Sequence, residues 1–151
     1  MTDIVVSSSR SPHSNTRRVA DAIAEALNAQ VVTPHELTQD MIDTADRVGF
    51  GSGIYWFGFD RQLGDAIDRF PAGSRDCFVF GTSGLPEPPF RRYTAQLGRR
   101  LEERGFRVVG TFVCRGLDTW GPFGLIGGIN KGRPSSADLE HARDFAASLM
   151  S

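Results

Sequence analysis

The sequence predicts an α/β fold of three layers, a doubly wound five-stranded parallel sheet in the order 2-1-3-4-5 with helices on both faces. Short apolar runs alternate with helical stretches from one end of the chain to the other. The runs are apolar throughout rather than every second residue, as in strands covered on both sides. Right-handed crossovers between parallel strands then leave few topologies. At 151 residues the chain is expected to form a single domain over 1–151.

The elements follow in order. "DIVVSSS" (3–9) reads as the first strand, and "NTRRVADAIAEAL" (15–27) as a helix with Val19, Ile23, Ala26 and Leu27 on one face. "AQVVTP" gives a short second strand, and "LTQDMIDTAD" a turn or short helix. "RVGFGSGIYW" (47–56) is the third strand, rich in glycine toward its end, and "FDRQLGDAIDRF" the next helix. "DCFVFGTSG" is the fourth strand. "PFRRYTAQLGRRLEERG" is a long helix stopped by Gly105, and "FRVVGTFVCRG" the fifth strand. "SSADLEHARDFAASLM" closes the chain as a helix capped by Ser135 or Ser136, with Leu139, Ala142, Phe145, Ala146 and Leu149 inward.

Composition narrows the function classes. An apolar content of 40%, a charged content of 23% and a formal net charge of -1 describe ordinary globular material and disfavour a nucleic-acid binder. No apolar run approaches membrane-spanning length, and Met1 leads straight into Thr2 and Asp3 without a signal-like region, so a cytoplasmic location is expected. Cys77 and Cys114 lack metal-ligand spacing and sit in apolar runs, where a thiol packs as a small hydrophobe. No metal is expected. Lys131 is the only lysine; every other base is arginine.

In an open parallel sheet, ligands bind beyond the carboxyl ends of the strands. That rule selects four segments: 9–16, 52–60, 82–90 and 116–134. The first gathers Ser9, Ser11, Ser14, Asn15 and Thr16, with Arg10 and His13, at a helix entrance. One hydroxyl would cap the helix; the surplus fits either an elaborate cap or a phosphate held by hydroxyls and amides at the positive helix end. The segment has no lysine and no glycine, which rules out a P-loop and a dinucleotide fingerprint. The second places Tyr55, Trp56, Phe57 and Phe59 around Gly58. They read as rings stacked on a flat ligand or as a hydrophobic cover of the sheet end. The third, "GTSGLPEPPF", offers free backbone groups to the edge of a heterocycle. In the fourth, Trp120, Pro122, Phe123, Leu125 and Ile126 are too apolar for a free loop. This loop would fold over a ligand, line a homodimer interface or belt the sheet.

A phosphate cradle, an aromatic slab and an edge-reading backbone, in that order, form a site for flavin mononucleotide. "SPHSNTRRVADAIAEAL" resembles the phosphate loop and first helix of the flavodoxin family, with Ser14 where that family usually has glycine. "GFGSGIYWFG" resembles the segment carrying its flavin-flanking aromatic and the flexible peptide beside flavin N5. "CRGLDTWGPFGLIGGINKGRP" resembles a stretch of small prokaryotic flavodoxin-like proteins. The resemblance spans nearly the whole chain. It implies noncovalent FMN held by Ser9, Arg10, Ser11, His13, Ser14, Asn15 and Thr16 at the phosphate. Ser52, Gly53, Ile54, Tyr55, Trp56, Phe57 and Gly58 would lie beside the ring, with Thr82, Ser83 and Gly84 at its edge and Asp118 and Trp120 from the last loop.

Other uses of the architecture fit less well. A receiver would need paired carboxylates after the first strand, an aspartate after the third and a lysine after the fifth, where this chain has serines, Ser52 and Arg115. Five residues beyond Cys77 and Cys114, a tyrosine phosphatase would need arginine; the chain has Ser83 and Trp120. Ser9, His13 and Asp118 lack the elbow motif of a hydrolase. Within the flavin reading, the chain is expected to be an electron carrier serving redox partner proteins, with no catalytic residue of its own. The alternatives are an NAD(P)H-dependent quinone or flavin reductase and a flavin-binding interaction module. The carrier is preferred because the chain is short and lacks insertions for a nicotinamide. Flavodoxins usually surround the flavin with acids, whereas Arg10, Arg91, Arg92 and Arg115 fall near the expected site.

Overall fold

The computed structural model describes residues 3–8, 15–55, 58–70, 75–83, 92–115 and 136–150. Its strands are β1 (Ile4–Ser8), β2 (Gln30–Val32), β3 (Arg47–Tyr55), β4 (Gly58–Phe59), β5 (Asp76–Ser83) and β6 (Arg107–Arg115). The helices are α1 (Asn15–Leu27), α2 (Gln39–Thr44), α3 (Arg61–Arg69), α4 (Tyr93–Glu103) and α5 (Ser136–Leu149). Five parallel strands stand in the order β2-β1-β3-β5-β6, which is the expected order once the additional β4 is set aside. β4 is the departure. β3 stops at Tyr55, and Gly58 and Phe59 pair antiparallel with it, so the segment expected as a loop contains paired backbone at 54–55 and 58–59. Two-residue strands carry no periodicity for a sequence to reveal.

Alternation along each strand divides the core in two. Ile4, Val6, Val48, Phe50 and Val79 face α2, α3 and α4, where they meet Ile42, Leu63, Ile67, Leu97 and Leu101. Val5, Phe78 and Phe80 face α1 and α5, against Val19, Ile23, Ala142 and Ala146. Gly49 and Gly51 of β3 belong to this second face, and a Cβ on either would overlap the ring of Phe78 or Phe80. Rings rooted in β5 therefore lie across the bare backbone of β3. Phe145 of α5 packs on the same layer, 6.0 Å from Phe78 and 5.5 Å from Phe112.

Helix ends follow local chemistry. α1 is followed by Asn28 at φ 55°, and Gly105 lies beyond the end of α4 at φ 98°, both in the left-handed region. In each case the next residue's amide reaches back to a carbonyl of the last turn, Ala29 to Ala24 at 2.8 Å and Phe106 to Leu101 at 3.1 Å. Gly105 is thus the stop the sequence predicts. α3 begins at Arg61, later than "FDRQ" implies, because Asp60 serves as its cap; α4 begins at Tyr93, later than "PFRRY" implies, with Arg92 before it making no side-chain cap bond. The expected inner face of α5 is in place, and Asp138 is buried in its first turn. Cys77 is fully buried, and burial, with Asp76 and Glu102 adding like charge, pushes its thiol up to about 12, so it stays a protonated core residue. Cys114 lies in β6.

Candidate functional site

The carboxyl ends of β1, β3 and β5 carry small polar residues where the apolar runs stop. Continuing the alternation, Ser8 and Ser52 lie on the α3 side of the sheet and Thr82 on the α1 side. All are buried: Ser8 is 2% exposed, Ser52 0% and Thr82 5%. Buried hydroxyls need partners, and they find them in two separate places.

On the α1 side, Thr16 meets Thr82, the two hydroxyl oxygens lying 2.9 Å apart across 66 residues of sequence. Either hydroxyl can donate to the other, which leaves a lone pair or a proton for a third group. Asn15 is buried beside Thr16 at the start of α1, and that helix has no acid in its first turn. On the α3 side, Ser8 Oγ donates to Asp60 Oδ2 at 2.6 Å. Ser52 Oγ accepts the Asp60 backbone amide at 2.9 Å and donates to the Gly53 carbonyl at 2.7 Å. The Gln62 amide completes the cap on Asp60 Oδ1 at 3.4 Å. Asp60 is 2% exposed.

The expected residues thus fall into three groups. Asn15, Thr16, Ser52, Gly53, Ile54, Gly58 and Thr82 stand together at the carboxyl end, with Ile54 opposite Phe59 in the β3–β4 register. Tyr55 and Ser83 close β3 and β5. Ser9, Arg10, Ser11, His13, Ser14, Trp56, Phe57, Gly84, Asp118 and Trp120 lie outside the described residues. Sequence reasoning missed Ser8 and Asp60. The second had a signal, an aspartate directly before a helix-forming run, which reads as a cap rather than a site. Phe59, a member of the expected aromatic cluster, meets Tyr93 edge-on with ring centroids 5.9 Å apart, joining β4 to α4.

Three helices that start at this end carry bases in the first turn or at the cap. α1, α3 and α4 all lack an acid in the first turn, where the helix dipole favours one, and exposed Arg17, Arg18, Arg61 and Arg92 stand there instead. Arg17 is paired with Asp21. The arrangement of donors and cations suits an anionic ligand. Among the described residues, no three His, Cys, Asp or Glu converge as metal ligands, and no helix is long and apolar enough to cross a membrane.

Solved structures share this architecture over the full chain. A flavodoxin from the domain Archaea superposes with a TM-score of 0.65 at 17% identity, over 99% of this chain and 96% of that one. Flavodoxin 2 of Bacillus cereus gives 0.69 at 16% identity, over 99% and 98%. General stress protein 14 of Treponema denticola, solved in complex with FMN, gives 0.61 at 14% identity, over 99% and 95%. The uncharacterized protein MJ0298 of Methanocaldococcus jannaschii is 34% identical over 140 residues, 91% of each chain. The chain belongs to one family with this archaeal protein, and its fold is that of the flavodoxins. No family model matches the sequence. Within the flavodoxin fold, Thr16 and Thr82 stand at the start of α1 and the end of β5, while Ser52 and Asp60 stand on either side of the β3–β4 hairpin.

Proposed function

We propose that the chain binds FMN noncovalently at the carboxyl end of the sheet and acts as a cytoplasmic electron carrier between redox partner proteins. The observation that carries this reading is the buried Asn15–Thr16 entrance of α1, bridged to Thr82 and free of first-turn acids. That donor set fits a phosphate monoester, since amides at a helix start and neutral hydroxyls donate to it without opposing charge. The FMN complex of the Treponema denticola protein, which shares the fold, supports the same ligand. Ile54, Gly58 and the hairpin would hold the ring and keep water from one side of it. Ser52 binds the Gly53 carbonyl, so the freedom expected of a peptide beside the ring falls to Gly58. Bound flavin supplies the electron chemistry; the chain supplies position and electrostatics.

The carrier is preferred to a reductase on length, because the chain aligns with flavodoxins nearly end to end. Titration of apoprotein with FMN and with riboflavin tests the ligand. Asn15→Ala with Thr16→Ala should weaken FMN by about 10-fold or more, the loss of one or two charge-assisted hydrogen bonds, and leave riboflavin unchanged. Equal losses for both ligands would overturn the phosphate assignment. In the holoprotein, NADPH alone should bleach the flavin slowly and a flavodoxin-type reductase should do so fast; rapid bleaching by NADPH with turnover on a quinone selects the reductase.

A further inference from the structure

The hydrogen bonds around Asp60 exceed what capping requires. Thr38 caps α2 while exposed, with one bond to the Met41 amide at 3.2 Å. Asp60 caps α3 with one oxygen while its second, Oδ2, takes the Ser8 hydroxyl, and the residue is withdrawn from water. Burying a carboxylate opposes folding unless hydrogen bonds replace its hydration, so a cap alone is a poor account of it. The Ser8–Asp60 bond spans 52 residues. It ties the last residue of β1, which leads into the segment read as the phosphate cradle, to the residue that follows the β3–β4 hairpin. The Asp60 amide, held on Ser52, fixes the hairpin from its other strand.

We propose that Asp60 is a positioning residue whose carboxylate clamps the paired β3–β4 backbone to the end of β1, setting the spacing between Ile54 and Gly58 on the ring side and Asn15 and Thr16 on the phosphate side. The inference rests on the flavin reading, and its effect is distinct from that of Thr16. Loss of the clamp displaces the hairpin, so FMN and riboflavin suffer alike; loss of Asn15 and Thr16 affects FMN alone.

Asp60→Ser separates clamp from cap, because serine caps a helix as well as aspartate does but is too short to reach Ser8 as well. Asp60→Ser and Ser8→Ala should each weaken FMN and riboflavin by about 10-fold, the scale of one buried hydrogen bond to a charged group, and the double variant should be no weaker than either. Asp60→Asn keeps two acceptor or donor sites in the same shape and should recover most of the affinity. In the apoprotein, amide exchange at Gly58 and Phe59 should accelerate in Asp60→Ser while amides of α3 stay protected. Unchanged affinity for both flavins, with exchange unaltered at the hairpin, would reduce Asp60 to a helix cap. Should wild type bind neither flavin, the ligand reading fails, and the exchange measurement still decides the clamp.

Discussion

The two ends of the sheet are held by opposite kinds of chemistry. At the amino ends of the strands the bonds are between full charges. Asp3, 3% exposed, accepts the Arg47 backbone amide and Nε, each at 3.1 Å, and Arg47 Nη1 donates to the Leu149 carbonyl at 2.6 Å. That clamp joins the starts of β1 and β3 to the end of α5. Nearby, Arg107 grips Asp76 through two bonds of 2.8 and 3.0 Å. At the carboxyl ends the bonds are made by hydroxyls: Thr16 with Thr82, Ser8 with the Asp60 carboxylate, and Ser52 with backbone groups. A guanidinium paired with a carboxylate is committed, because removing either leaves a charge behind. A hydroxyl pair can turn its protons toward an incoming anion and leave nothing uncompensated. The first end holds fixed charge pairs, and the second adds to the Ser8–Asp60 bond a neutral Thr16–Thr82 pair whose protons can reorient.

The comparison breaks most clearly at Arg47. Arg47→Met leaves the Asp3 carboxylate buried without its guanidinium and should remove about 3 kcal/mol of stability in urea unfolding, the lower end for a buried pair cut on one side. Flavin affinity of the folded protein should not move. A loss below about 1 kcal/mol would place this clamp with ordinary surface pairs.

A smaller stability change is expected at the other end, with a larger effect on the ligand. Thr82→Val keeps the shape and deletes the hydroxyl that meets Thr16, so unfolding should cost about 1 kcal/mol less, as for one neutral hydrogen bond. FMN should bind about 10-fold more weakly, a change equal to roughly 1.4 kcal/mol. If stability falls while affinity holds, the Thr16–Thr82 bridge belongs to the frame rather than to the site.

The smallest effect should come from Asp76→Asn. This pair is exposed and solvent-screened, so its contribution at neutral pH is minor. The hydrogen bonds and charge of Arg107 hold the Asp76 carboxyl below its usual 3.8. A carboxyl lowered in the folded state stabilises above its unfolded value, and that contribution fades as pH falls through the folded value. Urea midpoints of wild type and Asp76→Asn should therefore differ slightly at pH 6 and converge as pH falls through the lowered folded value of Asp76. A difference that grows on acidification would contradict the assignment.

The sequence reveals what periodicity and local signals can encode. α1 matches 15–27 because Val19, Ile23 and Leu27 recur at helical spacing, and Gly105 marks the end of α4 because the left-handed turn there needs it. Residues at this end of the sheet could be located as a group, since Ser52 and Thr82 lie at the ends of apolar runs and Asn15 and Thr16 open the helix after the first strand. Their pairing could not, because nothing local links residue 16 to residue 82. The Asp3–Arg47 clamp and the Ser8–Asp60 bond are hidden for the same reason. The glycines of β3 read as the weakening of a strand; their purpose lies in Phe78 and Phe80 on a neighbouring strand.

Those glycines make β3 and β5 a single unit of design. Phe80 fills the place where Gly51 has no side chain, so one strand borrows its inner surface from the next. Adding a methyl at Gly51 forces the ring out of position, and trimming the ring to Ala opens a void that large-to-small core changes put at about 3–5 kcal/mol. A redesign of this sheet must exchange the two positions together, ring for glycine and glycine for ring. The unit of substitution is a pair of facing positions on two strands, with the aromatic volume passed from one to the other.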